Sequence, residues 1–422
     1  MKHIIPTAAL LMATLSALAQ EPRVLFVGNS YTEVNNLPQM VNDIAQSTGN
    51  QMYYASNTPG GCTFMQHCSN RSMELICQGG WDIVVLQEQS QYPSFPQSQV
   101  ESEVFPYAER LVDSFYVHNP CGEPMFYMTW GRKNGDQYNA PYFPVIGTYE
   151  GMDSMLCERY TYMAAAYDAS LCPVGRVWRY LRTHHPEIEL YQSDESHPSL
   201  AGTYAAACAF YTMIFHRDPD SIDYNPGIND EAARFIRNAT HTVVYDQLQQ
   251  WQRPMPSVNI DTVHTDGNTA WIAYEPTDAD SLTLSFGDGT DTTIAAEGTQ
   301  SIQHTYAFYG PFTITVTAIR HCMTSTSLVE ITIDSCGTEV PINTAPDANK
   351  VKVYPNPVAE QLTIESSNEG IATISTVDGR VICRRKITNS KDTIPFGHIA
   401  EGLYIIHVAT PQGSYSYRVI KR

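Results

Sequence analysis

Positive charge is scarce in this 422-residue chain: 25 Lys and Arg stand against 44 Asp and Glu, a net charge of −19. A nucleic acid or an anionic membrane surface would meet a body of its own sign, so neither is expected as a partner. Long apolar runs are also missing beyond the first twenty residues, and no later segment predicts a membrane span. The ten cysteines include no Cys-x-x-Cys pair and no zinc-type spacing, which leaves no sequence signature of a metal site. Their number suits an exported chain. Cys62 with Cys68 and Cys322 with Cys336 are candidate disulfides, while Cys208, amid Ala205-Ala206-Ala207, reads as a small core residue.

The first residues fit export. Met1-Lys2-His3, the apolar stretch Ile4 to Leu18 and Ala17-Leu18-Ala19 predict a cleaved signal peptide over 1–19 and a mature start at Gln20. The remaining length is enough for two or three domains. Charge divides it: residues 350–422 hold ten Lys and Arg against six Asp and Glu, a net +4, which leaves −23 on everything before. That change of sign marks a separate module. The expected boundaries are 20–252 for a first domain, 256–335 for a second, 336–349 for a linker and 350–422 for the last.

Short continuous apolar runs dominate the first domain. Val24 to Val27, Ile83 to Leu86 and Met125 to Met128 each end in a polar or glycine-bearing turn, as strands buried on both faces of a parallel sheet do. Between them, Leu37-Met40-Val41-Ile44 and Val100-Val104-Tyr107-Leu111 keep helical spacing, and Leu200 to Phe215 reads as a buried helix. The alternation predicts a doubly wound α/β domain whose site lies beyond the strand ends.

Two segments at that edge carry chemistry. Gly28-Asn29-Ser30-Tyr31-Thr32 follows the first apolar run, and Asp194-Glu195-Ser196-His197-Pro198 lies far downstream. A serine becomes a useful nucleophile when a histidine takes its proton and a carboxylate orients that histidine. Ser30 alone, in a strand-end turn, would cap a helix more often than serve as a nucleophile. With Asp194 and His197 three apart in one polar loop, the nucleophile reading is the stronger one.

On these residues the region from about 22 to 250 resembles the SGNH (GDSL-like) hydrolases, serine esterases on a flavodoxin-like three-layer fold. Gly28-Asn29-Ser30-Tyr31-Thr32 stands where that family has Gly-Asp-Ser-Leu, and Asp194-Glu195-Ser196-His197 matches its Asp-x-x-His. The resemblance implies Ser30, Asp194 and His197 as catalytic residues, with the Ser30 and Gly61 N–H groups as oxyanion donors. Gly61 comes from Thr58-Pro59-Gly60-Gly61-Cys62-Thr63. The family's Gly-x-Asn-Asp is absent. Leu86-Gln87-Glu88-Gln89-Ser90 stands in its place, so Gln89, or failing that Gln87, is the expected side-chain donor. No metal or organic cofactor is implied. The expected substrate is an acyl ester, with an acetylated glycan first and a lipid ester as the rival; a surface glycan-binding protein without turnover is the reading from a different class.

Other residues near these motifs have two readings each. Trp130 and Arg132 follow the third apolar run and either line the substrate pocket or pack. His67 either approaches the pocket or is structural. His184 and His185, beside Pro186, read as a helix end, and Met128, Met152, Met155 and Met163 as core.

Downstream, Leu284-Ser285-Phe286-Gly287-Asp288-Gly289, His304-Thr305-Tyr306-Ala307 and Gly310-Pro311-Phe312-Thr313-Ile314-Thr315-Val316 resemble the PKD domain, an immunoglobulin-like sandwich that serves as a spacer or binds carbohydrate weakly. The Gly-Asp-Gly is itself a hairpin signal. Val353-Tyr354-Pro355-Asn356-Pro357, Ile374 to Val377 with Asp378-Gly379-Arg380, Gly402-Leu403-Tyr404-Ile405-Ile406 and Tyr417-Arg418-Val419-Ile420-Lys421 resemble the C-terminal sorting domain of type IX secretion. That resemblance implies a Bacteroidota-type cell, the type IX machinery as a partner, and delivery to the cell surface or beyond it. Both stretches predict small all-β sandwiches, with short alternating strands divided by Asp-Gly and Pro turns.

Overall fold

The computed structural model describes residues 21–334, 339–340, 351–366, 368–376, 381–388, 391–397, 399–400, 402–410 and 413–422. The expected signal peptide, most of the expected linker, Cys336 and Asp378-Gly379-Arg380 lie outside them.

The three apolar runs form β1 (Arg23–Val27), β3 (Ile83–Leu86) and β4 (Glu123–Tyr127), and two strands without such a run, β2 (Tyr53–Asn57) and β5 (Ser170–Cys172), complete one sheet in the order 2-1-3-4-5. All pairs are parallel, with Val24 opposite Tyr54 on one side and Ile83 on the other. This is the flavodoxin-like order, and its switch point falls at β1, between β2 and β3. Successive β1 side chains enter opposite layers, since side chains alternate across a strand. Val24 and Phe26 pack with helices α2 (Leu37–Ser47), α8 (Val174–His184), α9 (Leu200–Phe215) and α10 (Asp230–Val243). Leu25 and Val27 pack with α4 (Arg71–Gln78), α5 (Gln97–Glu103), α6 (Phe105–His118) and α7 (Tyr149–Ala166). Two short helices, α1 (Ser30–Glu33) and α3 (Phe64–His67), stand at the strand ends. The three-layer α/β architecture expected from the sequence is the one observed.

The spacing from Val100 to Leu111 predicts one helix, yet α5 and α6 break at Val104 (φ −119°, ψ −61°), with Pro106 in the first turn of α6. Proline brings no N–H to continue the ladder of α5, so the chain restarts. Over 200–215 the helix is as expected. Ser199 caps it by accepting the Gly202 N–H at 3.1 Å, and Gly202 to Met213, Cys208 among them, are buried throughout.

By its contacts the chain divides into two units: residues up to 256 with 278–280 and 319–325, and residues 257–277, 281–318 and 326–422. The second unit is antiparallel β. Ser257–Asp266 and Thr269–Thr277 pair in one sheet, Ser281–Ser285 and Asp291–Ala295 in another, and two further sheets follow in the last module. Leu362, Ile364, Ile374, Ile406 and Val408 form the core of that last module.

The expected cysteine pairs are corrected. Cys322 is bonded to Cys121 within the first unit, with a Cα–Cα distance of 4.9 Å, and Cys62 and Cys68 are free, buried thiols. Cys121 lies 201 residues before its partner, and sequence spacing offers no clue to a contact that only the folded chain creates.

Candidate active site

Strand β1 runs out at Val27, and the chain must turn sharply under its neighbour. At Gly28 a Cβ would come within 2.5 Å of Thr32 Oγ1 and 2.7 Å of Gln87 Oε1, so only glycine fits. Asn29 follows in an extended conformation and caps α1, its Oδ1 accepting the Tyr31 N–H at 3.2 Å. Ser30 is thereby the first residue of α1, at the carboxyl edge of the sheet and at its switch point.

The second segment arrives from the opposite end of the domain. Gln192 N–H donates to the His197 carbonyl at 2.8 Å, and Asp194 Oδ1 accepts the N–H groups of Ser196 (3.1 Å) and His197 (3.0 Å). Glu195 takes a positive φ of 62° to close this turn. The result is a continuous hydrogen-bonded chain. His197 Nε2 lies 2.8 Å from Ser30 Oγ, and His197 Nδ1 is hydrogen-bonded to Asp194 Oδ2. A carboxylate only accepts, so the Nδ1–H donates to Asp194 and Nε2 presents its lone pair to the serine hydroxyl. Partial desolvation pushes the Asp194 carboxyl up, but hydrogen bonds from the His197 ring and from the Ser196 and His197 N–H groups hold it below the ordinary carboxylate value. Asp194 and His197 remain 46% and 31% exposed at their side chains, which leaves the chain open to solvent and to a substrate.

An aromatic stack supports the loop from below. Trp130 stacks on Trp178 (centroids 3.7 Å, 6°) and on Tyr31 (4.7 Å, 4°), and its Nε1–H donates to the Ser196 carbonyl at 3.1 Å. Tyr31 Oη lies 2.7 Å from Ser196 Oγ, and the ring meets His197 edge-on at 5.5 Å. Trp130 is fully buried. It is a foundation of the site and not a pocket wall, which corrects one of its two sequence readings. Nothing in the sequence singles out Tyr31, whose role depends on partners that only the folded chain brings to it.

His67 is likewise structural. It is fully buried, its Nε2–H donating to the Gly28 carbonyl at 2.9 Å while Nδ1 accepts from Ser72 Oγ at 2.7 Å. Burial lowers its pKa to about 4, against the opposing pull of the Gly28 carbonyl. Arg132 is half-buried, with Nη1 3.5 Å from Asp136 Oδ1. Asp136, fully buried, also accepts from Gln91 Nε2 (2.6 Å) and Asn139 Nδ2 (2.7 Å), and organises the loop that carries the exposed Tyr138 (82%) and Tyr142 (86%). This loop is joined to the Asp194–His197 turn: Lys133 N–H donates to the Glu195 carbonyl at 2.9 Å, and Asn134 Nδ2 to Glu195 Oε2 at 2.8 Å.

The expected glutamine donors are placed differently. Gln87 is buried beneath Asn29: its Oε1 accepts from Asn29 N–H and Thr32 Oγ1, each at 3.0 Å, and both hydrogens of its Nε2 are taken by Asn29 Oδ1 (3.0 Å) and the Glu88 carbonyl. It has no donor left for an oxyanion, and that reading is corrected. The Gln89 side chain closes its own loop, accepting the Gln91 N–H at 2.7 Å and the Tyr92 N–H at 3.3 Å and donating to Gln91 Oε1 at 3.3 Å. Gly61, exposed and at φ +68°, sits in the turn closed by Cys62 N–H to the Pro59 carbonyl. Asn29 Nδ2 reaches the Cys62 carbonyl at 3.1 Å and so ties this turn to the residue before Ser30.

Among the described residues one group has metal-ligand character: Asp218, Asp220 and His241 bring ligand atoms within 4.8 Å of one another. His241 Nδ1 lies 2.8 Å from Asp218 Oδ1, so an ion pair already accounts for the cluster.

Residues 352–422 match the model of the secretion system C-terminal sorting domain. The tail is a sorting domain of type IX secretion, which delivers its cargo to the outer surface or the extracellular space. No curated protein matches the chain. Among solved structures, a DUF4886 family protein from Bacteroides uniformis is similar at 17% identity and a TM-score of 0.47, over 53% of this chain and 94% of its own. A candidate SGNH hydrolase from Slackia heliotrinireducens is 24% identical with a TM-score of 0.38, over 46% of this chain and 99% of its own. A candidate GDSL-like lipase from Parabacteroides merdae is 12% identical with a TM-score of 0.36, over 46% and 94%. Among the described residues, no helix is long and apolar enough to cross a membrane.

Proposed function

We propose that the first unit is an SGNH-type serine ester hydrolase acting outside the cell. The observation that carries this is the unbroken chain from Ser30 Oγ through His197 to Asp194. In the reaction, Ser30 Oγ attacks the ester carbonyl carbon and gives its proton to His197 Nε2. Asp194 holds the imidazole in the required tautomer and stabilises the imidazolium. The carbonyl oxygen becomes an oxyanion received by the N–H groups of Ser30 and Gly61. The tetrahedral intermediate collapses, the alcohol leaves with the proton from His197, and a water activated by the same histidine then releases the acyl group. No metal or organic cofactor enters these steps.

For the substrate, the reading is an acylated, most simply acetylated, glycan. Three features support it over a lipid ester: a partly exposed triad, export on a sorting domain, and the two outward-facing tyrosines on the loop bonded to Glu195. Flat aromatic rings with a polar tip suit the apolar faces and hydroxyls of sugars. A fluorophosphonate probe tests the mechanism, since only an activated serine is modified rapidly. Labelling of Ser30, with both labelling and hydrolysis of an activated acetyl ester lost in Ser30→Ala, is expected. Equal hydrolysis by wild type and Ser30→Ala would remove Ser30 from the reaction.

A further inference from the structure

Glu88 stands in the segment that replaces the family's third motif, and none of the steps above uses it. It is fully buried, and a buried carboxyl needs partners for every lone pair it exposes to the interior. Those partners are backbone N–H groups from two different loops. Oε1 and Oε2 lie 3.1 and 3.0 Å from the Phe64 N–H, just beyond the Gly61 turn, and Oε1 lies 2.5 Å from the Gln89 N–H. The main chain of the same residue makes three further ties. Its N–H donates to Tyr160 Oη at 3.2 Å, and its carbonyl accepts from Asn29 Nδ2 at 3.3 Å and from Gln87 Nε2. One residue thus joins the end of β3, the 61–64 segment and the cap of the Ser30 helix, which are the segments that border the expected oxyanion site. A leucine or methionine would fill the same volume but leave the Phe64 and Gln89 N–H groups without acceptors.

We infer that Glu88 is a positioning residue of this hydrolase: its buried carboxyl holds the Phe64 end of the 61–64 segment while its main chain holds the cap of the Ser30 helix, so that the Gly61 and Ser30 N–H groups converge on one oxygen. The inference rests on the esterase reading. Burial pushes the Glu88 carboxyl up to about 8, against the pull of the Gln89 and Phe64 N–H groups, so near neutral pH it is mostly uncharged and serves through its acceptor oxygens. Oxyanion donors matter in the transition state more than in the ground state, so loosening them should lower kcat and leave KM nearly unchanged.

The test uses the full chain and an activated acetyl ester. Glu88→Ala is expected to lower kcat by about 100-fold with KM within about threefold, and Glu88→Gln, which keeps one acceptor oxygen, to recover most of it. Tyr160→Phe, which removes only the hydroxyl behind the Glu88 N–H, should give a smaller loss of about threefold to tenfold, and it decides the matter if the Glu88 variants do not fold. Wild type that hydrolyses the ester alongside Glu88→Ala or Tyr160→Phe with unchanged kcat would overturn the inference alone. A rise in KM at constant kcat would overturn it too. Failure of wild type to hydrolyse or to label at Ser30 would instead sink the esterase reading, and this inference with it.

Discussion

Ser30 Oγ and His197 Nε2 lie 2.8 Å apart although 167 residues separate them along the chain. The approach depends on two local devices. A glycine-tight turn lifts the serine off β1, and a loop held by Asp194 and Trp130 brings the histidine back across the sheet. Each device can be disturbed separately, which makes the roles of their residues measurable.

Asp194→Asn should lower kcat by on the order of 10³- to 10⁴-fold while the fold is kept. An amide can turn its NH₂ toward Nδ1 and favour the tautomer that carries the proton on Nε2, where the serine needs an acceptor. Steady-state hydrolysis of a soluble acetyl ester measures this, and a loss below tenfold would argue against Asp194 as the orienting group.

Gln87→Ala and Gln89→Ala should fall into different classes. Gln87 makes four hydrogen bonds beneath Asn29, so its removal is expected to cost about 3 kcal/mol of stability and to lower the melting temperature markedly. Gln89 lies in a partly exposed loop, and its loss should shift kcat by less than about tenfold. Thermal unfolding and kinetics of the pair would contradict this placement if Gln89→Ala were the more damaging to kcat.

Acid stability should depend on His67. Its pKa falls from 6.5 unfolded to about 4 folded, so the unfolded chain binds the proton first. The contribution is fully present above pH 6.5, declines as pH falls, and amounts to a loss of about 3 kcal/mol near pH 4. His67→Gln should flatten the pH dependence of the melting temperature between these limits. An unchanged slope would mean that other groups govern it.

The Cys121–Cys322 bond closes 201 residues of sequence. Cross-linking so long a loop restricts the unfolded chain and is worth about 2–5 kcal/mol. Cys322→Ser in the full chain should therefore melt several degrees lower while hydrolysing a small soluble ester within about twofold of wild type. Ending the chain at residue 252, the boundary expected from the sequence, would leave Cys121 without its partner and should show the same thermal loss. Thermal midpoints with and without reductant provide the check.

What the sequence determined by itself is local and periodic. Apolar runs of four residues specify three of the five strands of a doubly buried sheet, and the alanine-rich stretch specifies α9 to the residue. The polar residues at the run ends mark the edge where Ser30, Asp194 and His197 meet, because a β/α alternation places every such turn on the same side. The tertiary structure alone decided which polar side chains face that edge and which lie beneath it. Gln87, the second choice of side-chain donor, and His67 and Trp130, each with a site reading and a structural one, are all buried beneath the site. A turn lifted off a strand leaves unpaired backbone groups and a void below, and these side chains satisfy the one and fill the other. Glu88 and the Cys121–Cys322 pair were invisible for the same reason. Their partners come from segments whose proximity follows from packing and leaves no trace in spacing, period or composition.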